Sequence, residues 1–420
     1  QGKYYANIAM RTDGSSRLAA GNQWAFFPSG GVAWRISEEE FFGKREWLNS
    51  LKLRASYGAV GNSAIDPYQT IAGLSKYDYL FGEDAGNKFF AYRPSMIPNK
   101  DLGWEISRTA NFGVDFGLWN NRISGYIEGY ITKTSDLLME RTLPFFTGFS
   151  KVWQNIGKTE NKGIELNIQA NTLKTKSFSW ETTVTFARNW NKITELLGGG
   201  DIRNNSWFIG KPLQVHYNYE MIGVWQLGEE KEAQKYGAIP GDIKVKDQNN
   251  DGSIGELDKV ILGQKDPKII ASLLNSFRFG AFDASINLNM NFGSLIHPNT
   301  YASLITRDGL RWMPSNFKYW TPDNPTNEYT RADKLSGYDP FAGTGGYMKG
   351  DYIKIQDITL GYDFSKIMPK NWKILRARLY AQVRNLGYIY KACKNDVSPE
   401  APDFDYNIPT TYTMGINIDF

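Results

Sequence analysis

Among the 420 residues, the spacing with the most definite chemistry is Asp247-x-Asn249-x-Asp251-Gly252-Ser253-x-Gly255-x-x-Asp258. Oxygen-bearing side chains at the first, third and fifth positions, a glycine at the sixth for a sharp turn and a carboxylate at the twelfth are what one loop needs to wrap a hard cation. The ligands expected for Ca²⁺ are Asp247, Asn249, Asp251, the backbone carbonyl of Ser253, and Asp258. Mg²⁺ fits less well, because it demands a tighter octahedral shell and keeps more of its water. The twelfth position is Asp rather than the longer Glu, and no helices are expected on either side. A metal-free Asp-Gly turn accounts for the same residues, so both readings stay open.

Catalysis has no comparable arrangement. The only histidines, His216 and His297, fall in long connecting segments, and neither a G-x-S-x-G elbow nor an H-E-x-x-H or C-x-x-C spacing occurs. The single cysteine, Cys393, excludes an internal disulfide and a thiolate metal cluster. Gly343, Gly345 and Gly346 lack the strand-to-helix setting of a phosphate-binding loop. A net charge of +4, dispersed along the chain, offers no basic stripe to nucleic acid. We expect a protein that is not an enzyme. Trp207, Trp312 and Trp320 lie in the long connections, where an indole stacks on a sugar face or a partner, or packs the loops on one another.

The elements that must carry these residues are strands. No window approaches eighteen consecutive apolar residues, which excludes helical membrane spans. Aromatic residues make up 15% of the chain and glycine contributes 41 residues, a mixture suited to strands, turns and interfacial girdles. From Phe282 to Phe292 the alternation is nearly perfect, with Phe282, Ala284, Ile286, Leu288, Met290 and Phe292 on one face and Asp283, Ser285, Asn287, Asn289 and Asn291 on the other. Such a strand is apolar on one side and polar on the other, over about the 9–11 residues that a tilted strand needs to cross a bilayer.

This pattern predicts twelve strands, near 3–12, 24–36, 50–60, 106–119, 122–137, 160–173, 178–192, 268–279, 282–293, 351–364, 374–388 and 412–420. Tight turns at 120–121, 174–177 and 280–281 alternate with long connections at 61–105, 194–267 and 294–350. Two turns on the tight side, 37–49 and 365–373, are longer. That alternation separates a membrane barrel, with short periplasmic turns and long external loops, from a soluble sandwich. A parity jump after Ile355 predicts a β-bulge near Gln356-Asp357. Over 122–137 the lipid-facing side stays open, since Ile and Gly share one face and Tyr126, Glu128 and Tyr130 the other. Carboxylates such as Asp115, Glu128, Glu165 and Asp283, and Arg376, Arg378 and Arg384, are expected on a water-facing or plug-facing lumen wall.

The last segment alternates Tyr412, Met414, Ile416, Ile418 and Phe420 against Thr413, Gly415, Asn417 and Asp419. An unpaired strand in lipid is costly, so this strand must close a sheet, and Tyr412 and Phe420 are candidate assembly signals. The opening at Gln1, without Met or an apolar leader, is expected of a processed chain or an internal piece of a longer one.

Taken in order, DGSSR (13–17), FPSGGVAWRISEEEFF (27–42), LKLRASYGAVGN (51–62), KTSDLLM (133–139), NIGKTENKGIELNI (155–168), PGDIKVKDQNNDGSIGELDKVILG (240–263), YWTPDNPTNEYTRA (319–332), YIKIQDITLGYDF (352–364), RNLG (384–387) and the terminal TYTMGINIDF resemble the SusC/RagA-like family of TonB-dependent outer-membrane transporters. The resemblance implies an all-β fold, a transmembrane antiparallel β-barrel of about twenty-two strands filled by a plug. This chain would be its C-terminal part throughout 1–420, with plug, TonB-contacting segment and about ten earlier strands lying elsewhere. It further implies import of an oligosaccharide or peptide through the outer membrane, a SusD-like surface lipoprotein as partner, and energy delivered through the TonB complex. The rival expectation is a secreted or surface all-β adhesin or carbohydrate-binding protein with the same alternation.

Overall fold

The computed structural model describes residues 2–43, 45–80, 88–305, 317–331, 341, 343–369, 374–394, 397–403 and 408–419. Trp312 and Phe420 therefore lie outside the described residues. Twelve long strands carry the fold: β1 (Tyr4–Gly14), β2 (Trp24–Arg35), β3 (Leu48–Asn62), β4 (Glu105–Leu118), β5 (Ile123–Ser135), β6 (Lys158–Lys174), β7 (Phe178–Glu195), β8 (Ile269–Phe279), β9 (Phe282–Phe292), β10 (Tyr352–Asp363), β11 (Arg376–Lys391) and β12 (Thr411–Asp419). They pair in chain order as one twelve-stranded sheet. Contacts divide the chain into two units, residues 1–168 with 188–213, and residues 169–187 with 214–420.

From the second strand onward the connections alternate. Residues 36–47, 119–122, 175–177, 280–281 and 364–375 make the short side, and 63–104, 136–157, 196–268, 293–351 and 392–410 the long side, while the first connection, 15–23, is short although it lies at the long-loop end. Turn chemistry explains the tightest of these. Asn120 and Asn121 both sit at φ 57°, a left-handed conformation that asparagine tolerates better than most side chains.

In the first unit, Leu51, Leu53, Ala55 and Tyr57 stand opposite Phe116, Val114, Phe112 and Ala110. Those in turn face Gly125, Ile127, Gly129 and Ile131. Phe112, Ile127 and Ile131 are exposed, so this is the lipid side. The opposite parity carries the charges: Asp115 accepts from Lys52 Nζ and from Arg54 Nε, each at 2.9 Å, and Arg54 reaches Glu128 at 2.6 Å. That network settles the face left open over 122–137, with Glu128 on the charged side.

In the second unit, the polar face of β9 is bonded to β10. Asn287 Nδ2 donates to Asp357 at 3.1 Å, Asn289 Nδ2 to Gln356 at 3.3 Å, and Asn291 Nδ2 to the Tyr352 hydroxyl at 2.9 Å. Pairing skips Gln356, because Asn287 opposes Asp357 while Leu288 opposes Ile355, which is the bulge the parity jump implied. On the same polar face Arg378 lies across Gly361 to reach Asp283 at 2.8 Å. A Cβ at Gly361 would come within 2.5 Å of that guanidinium, so glycine is what lets the ion pair lie flat.

The long connections hold more regular structure than the sequence suggests. Residues 63–104 contain a hairpin (Gly73–Leu80 with Lys88–Met96), and 136–157 another (Leu138–Thr142 with Lys151–Asn155). Within 214–264 lie two strand pairs and the helix Glu230–Lys235. These segments are short and of mixed pattern, which hides them from a period search tuned to membrane strands.

Candidate functional site: the external loops

The loop from Asp247 to Asp258 is organised by its own side chains. Asp247 accepts from the amides of Asn250 at 2.7 Å and Gly252 at 2.9 Å. Asp251 accepts from the Ser253 amide and hydroxyl, each at 2.8 Å, and Asn249 Oδ1 from the Asp251 amide at 2.9 Å. Those donors hold the Asp251 carboxyl below its usual range. Gly252 is at φ 84°, as a sharp sixth position requires. Asp258 is turned inward at 1% exposure, with Oδ1 accepting from the Gln248 amide at 2.8 Å and Oδ2 from the Gly255 amide at 2.7 Å. Among the described residues no group of three or more His, Cys, Asp or Glu side chains is placed to hold a metal ion. Any cation here would lean on Asn249 and backbone carbonyls beside the carboxylates.

Trp320 is buried, and its indole N–H donates to Gln226 Oε1 at 2.8 Å. The Gln226 amide in turn donates to the carbonyls of Val224 at 2.8 Å and Thr326 at 3.1 Å. Nearby, Arg331 Nε donates to Asp242 at 2.9 Å. Segments about ninety residues apart in sequence therefore fold together as one external body. Trp207 is half-buried against Leu137, Met139 and Ile156 of the first unit.

His216 and His297 stand together, with ring centroids 6.4 Å apart and both packed on Tyr347. Burial pushes the His216 imidazole down to about 4, so at neutral pH the ring is neutral and Nε2 donates to the Leu295 carbonyl at 2.9 Å. His297 Nε2 donates to the Gly343 carbonyl at 2.7 Å. Both rings spend a nitrogen on backbone, a structural use.

Two features had no sequence signal. Lys354, on the polar face of β10 and with a side chain 4% exposed, is paired with Glu400 of the last long connection at 2.6 Å. Tyr388 donates to the same carboxylate at 2.8 Å and Tyr352 at 3.3 Å. The partners are separated by a loop and a full strand, beyond the reach of any periodicity. At the tip of the hairpin over 136–157, Phe145 and Phe146 are 99% and 88% exposed.

Long strands apolar on one side and charged on the other, with short turns at one end and folded loops at the other, define the wall of an outer-membrane β-barrel. A family profile described as TonB dependent receptor-like, beta-barrel, matches residues 2–386, and the chain belongs to that family. It is 30% identical over 455 residues to TonB-dependent receptor P26 of Formosa agariphila, covering 100% of this chain and 44% of that protein. It is 29% identical over 442 residues to TonB-dependent receptor SusC of Bacteroides thetaiotaomicron, covering 100% and 42%. The solved RagAB peptide transporter superposes with a TM-score of 0.80 at 24% identity, over 100% of this chain and 46% of that one, a likeness of fold. The chain thus spans less than half the length of these relatives. Family membership establishes an outer-membrane location and a receptor rather than an enzyme, and sets aside the secreted or surface adhesin or carbohydrate-binding protein.

Proposed function

We propose that these residues form the C-terminal wall and external loops of a TonB-dependent importer of a large nutrient, an oligosaccharide or a peptide, working with a SusD-like surface lipoprotein. The observation that carries this reading is the pairing of a charged inner strand face with external loops folded into bodies of their own. Loops that only closed hairpins would need a few residues each. Plug, TonB-contacting segment and the remaining strands belong, on this reading, to the part of the receptor outside these 420 residues. On this reading the exposed Phe145 and Phe146 are the candidates to meet substrate or lipoprotein, and Trp207, half-buried on Leu137, Met139 and Ile156, offers only its open edge. Trp320 contributes by holding the loops together. The expected result in cells carrying the full-length receptor is uptake of a labelled oligosaccharide or peptide pool that stops when TonB is deleted, with the lipoprotein co-purifying in mild detergent. Uptake indifferent to TonB would remove the reading.

The loop from Asp247 to Asp258 is proposed to take Ca²⁺ at its outer edge. Support comes from the turn at Gly252 and from the oxygens of Asp247, Asn249 and Asp251 gathered on one loop. Because Asp258 is short and already engaged by two amides, the affinity expected is only about 10⁻⁴ to 10⁻³ M, as in extracellular modules. Chelation should speed protease cutting within 240–260 several-fold, and Asp247→Ala with Asp251→Ala should abolish that calcium dependence. Identical cutting with chelator and with millimolar Ca²⁺ would count the loop as a metal-free turn.

A further inference from the structure

On the lipid side of the first unit, at the end of the strands nearest the long loops, two cations face each other. Arg108 of β4 and Lys133 of β5 are direct cross-strand partners and both are exposed. Like charges placed opposite one another across a sheet repel, so the arrangement costs stability unless something neutralises it. No ion pair reaches either residue among the described residues, and Arg108 makes one long contact, 3.4 Å, with the Ser135 hydroxyl. The nearby carboxylates are engaged elsewhere: Glu160 by Lys162 and Lys192 at 3.2 Å each, and Glu195 by Lys158 at 2.7 Å.

Directly below the two cations the surface is apolar and grooved. Tyr57, Ala110 and Ile131 lie in one cross-strand row, so a small residue is flanked by two large ones. The resulting groove, with Arg108, Lys133 and Lys158 around it and Glu160 also in its wall, where Lys162 and Lys192 hold that carboxylate, has a volume of about 650 Å³. Its height follows from the strand. Arg108 is ten residues along β4 from Leu118 at the short turn. At about 3.3 Å per residue and a tilt near 40°, that is roughly 25 Å, the full height of the apolar band of an outer-membrane barrel. The cations therefore stand at the level of the external leaflet's headgroups and the groove at the level of its acyl chains, with Tyr57 where interfacial aromatics gather.

We propose that this groove seats a phosphate-bearing lipid of the external leaflet, its phosphate between Arg108 and Lys133 and an acyl chain laid over Ala110 between Tyr57 and Ile131. Charge complementarity selects the anion, and the apolar floor selects a lipid over a free anion. A neutral lipid would leave the Arg108–Lys133 repulsion uncompensated. Lys158, already paired, adds positive potential from the next strand.

The test uses the full-length receptor in nanodiscs, with its barrel checked by heat-modifiable migration. The probes are monophosphoryl lipid A, the same lipid without its phosphate, and sodium phosphate, with binding followed by native mass spectrometry and by titration. Wild-type receptor is expected to bind the phosphorylated lipid about tenfold or more tightly than the dephosphorylated one, given the strength of hydrogen bonds to charged groups. Arg108→Gln with Lys133→Gln should lose that preference, and Arg108→Lys with Lys133→Arg should keep it. Ala110→Phe, which fills the groove and spares the charges, should weaken lipid binding while leaving the barrel heat-modifiable. Undiminished lipid preference in the double glutamine variant would overturn the proposal. So would sodium phosphate displacing the lipid at equal affinity, which would mark a free-anion site. A receptor dimer that depends on Arg108 and Lys133 would likewise overturn it, by assigning the surface to a second copy.

Discussion

Removal of residues 412–420 from the full-length receptor is expected to leave no heat-modifiable barrel in the outer membrane. β12 pairs with β11 along its whole length, from Arg376 opposite Asp419 to Arg384 opposite Thr411. Without it, β11 would present a row of unpaired amides and carbonyls to lipid, at several kcal/mol for each unsatisfied group. No local repacking offsets a loss of that size. The outer parity of β12 adds a graded version of the same test. Tyr412, Met414 and Ile416 are exposed on the lipid side, at 75%, 76% and 54%. Met414→Arg should therefore cost about 2–4 kcal/mol if it lies near the bilayer midplane, less towards either interface. Thr413 and Asn417, on the opposite face, should tolerate polar replacement far better, whereas any side chain at Gly415 would come within 2.6 Å of the Tyr380 ring. Normal insertion of the truncated receptor would show that closure does not depend on this strand.

The second large effect is expected at Glu400. Its carboxylate holds the nearly enclosed Lys354 ammonium and also accepts from Tyr388 and Tyr352, so the segment 397–403 is fastened to the polar face of β10 and β11. Glu400→Ala would strand a buried cation, a change that typically costs about 3–5 kcal/mol. The expected readout is faster amide exchange and protease cutting across 397–403, spreading to the neighbouring body around Val397, Tyr301 and Phe317, whose side chains share one cluster. Replacing both partners, Lys354→Met with Glu400→Leu, should recover most of the loss, because the penalty comes from an unpaired charge and not from the lack of an ion pair. Equal protection in wild type and Glu400→Ala would mean that the segment is held by the apolar cluster alone.

The sequence by itself determined the twelve strands, the two faces of the clearly alternating ones and the alternation of short and long connections, because each is a local property, whereas the face over 122–137 was decided only by the ion pair of Glu128 with Arg54. Side-chain direction repeats every second residue, so Phe282 to Phe292 declares its faces without reference to any neighbour. A displaced residue shifts that parity, which made the bulge at Gln356 readable as well. The calcium-like spacing from Asp247 was readable for the same reason, being contained in twelve consecutive residues, though the inward turn of Asp258 was not. Tertiary structure alone decided which distant residues meet. His216 against His297, Trp320 on Gln226, Lys354 with Glu400 and Arg108 opposite Lys133 depend on strand register and on how separate loops fold against one another. Two residues on neighbouring strands face each other only once the turn between them has set the register, and a shift of one residue would send each side chain to the other face. The membrane wall is thus written in a two-residue period, while the contacts that hold the loops and bring two unpaired cations together exist only after long-range pairing has chosen a single register.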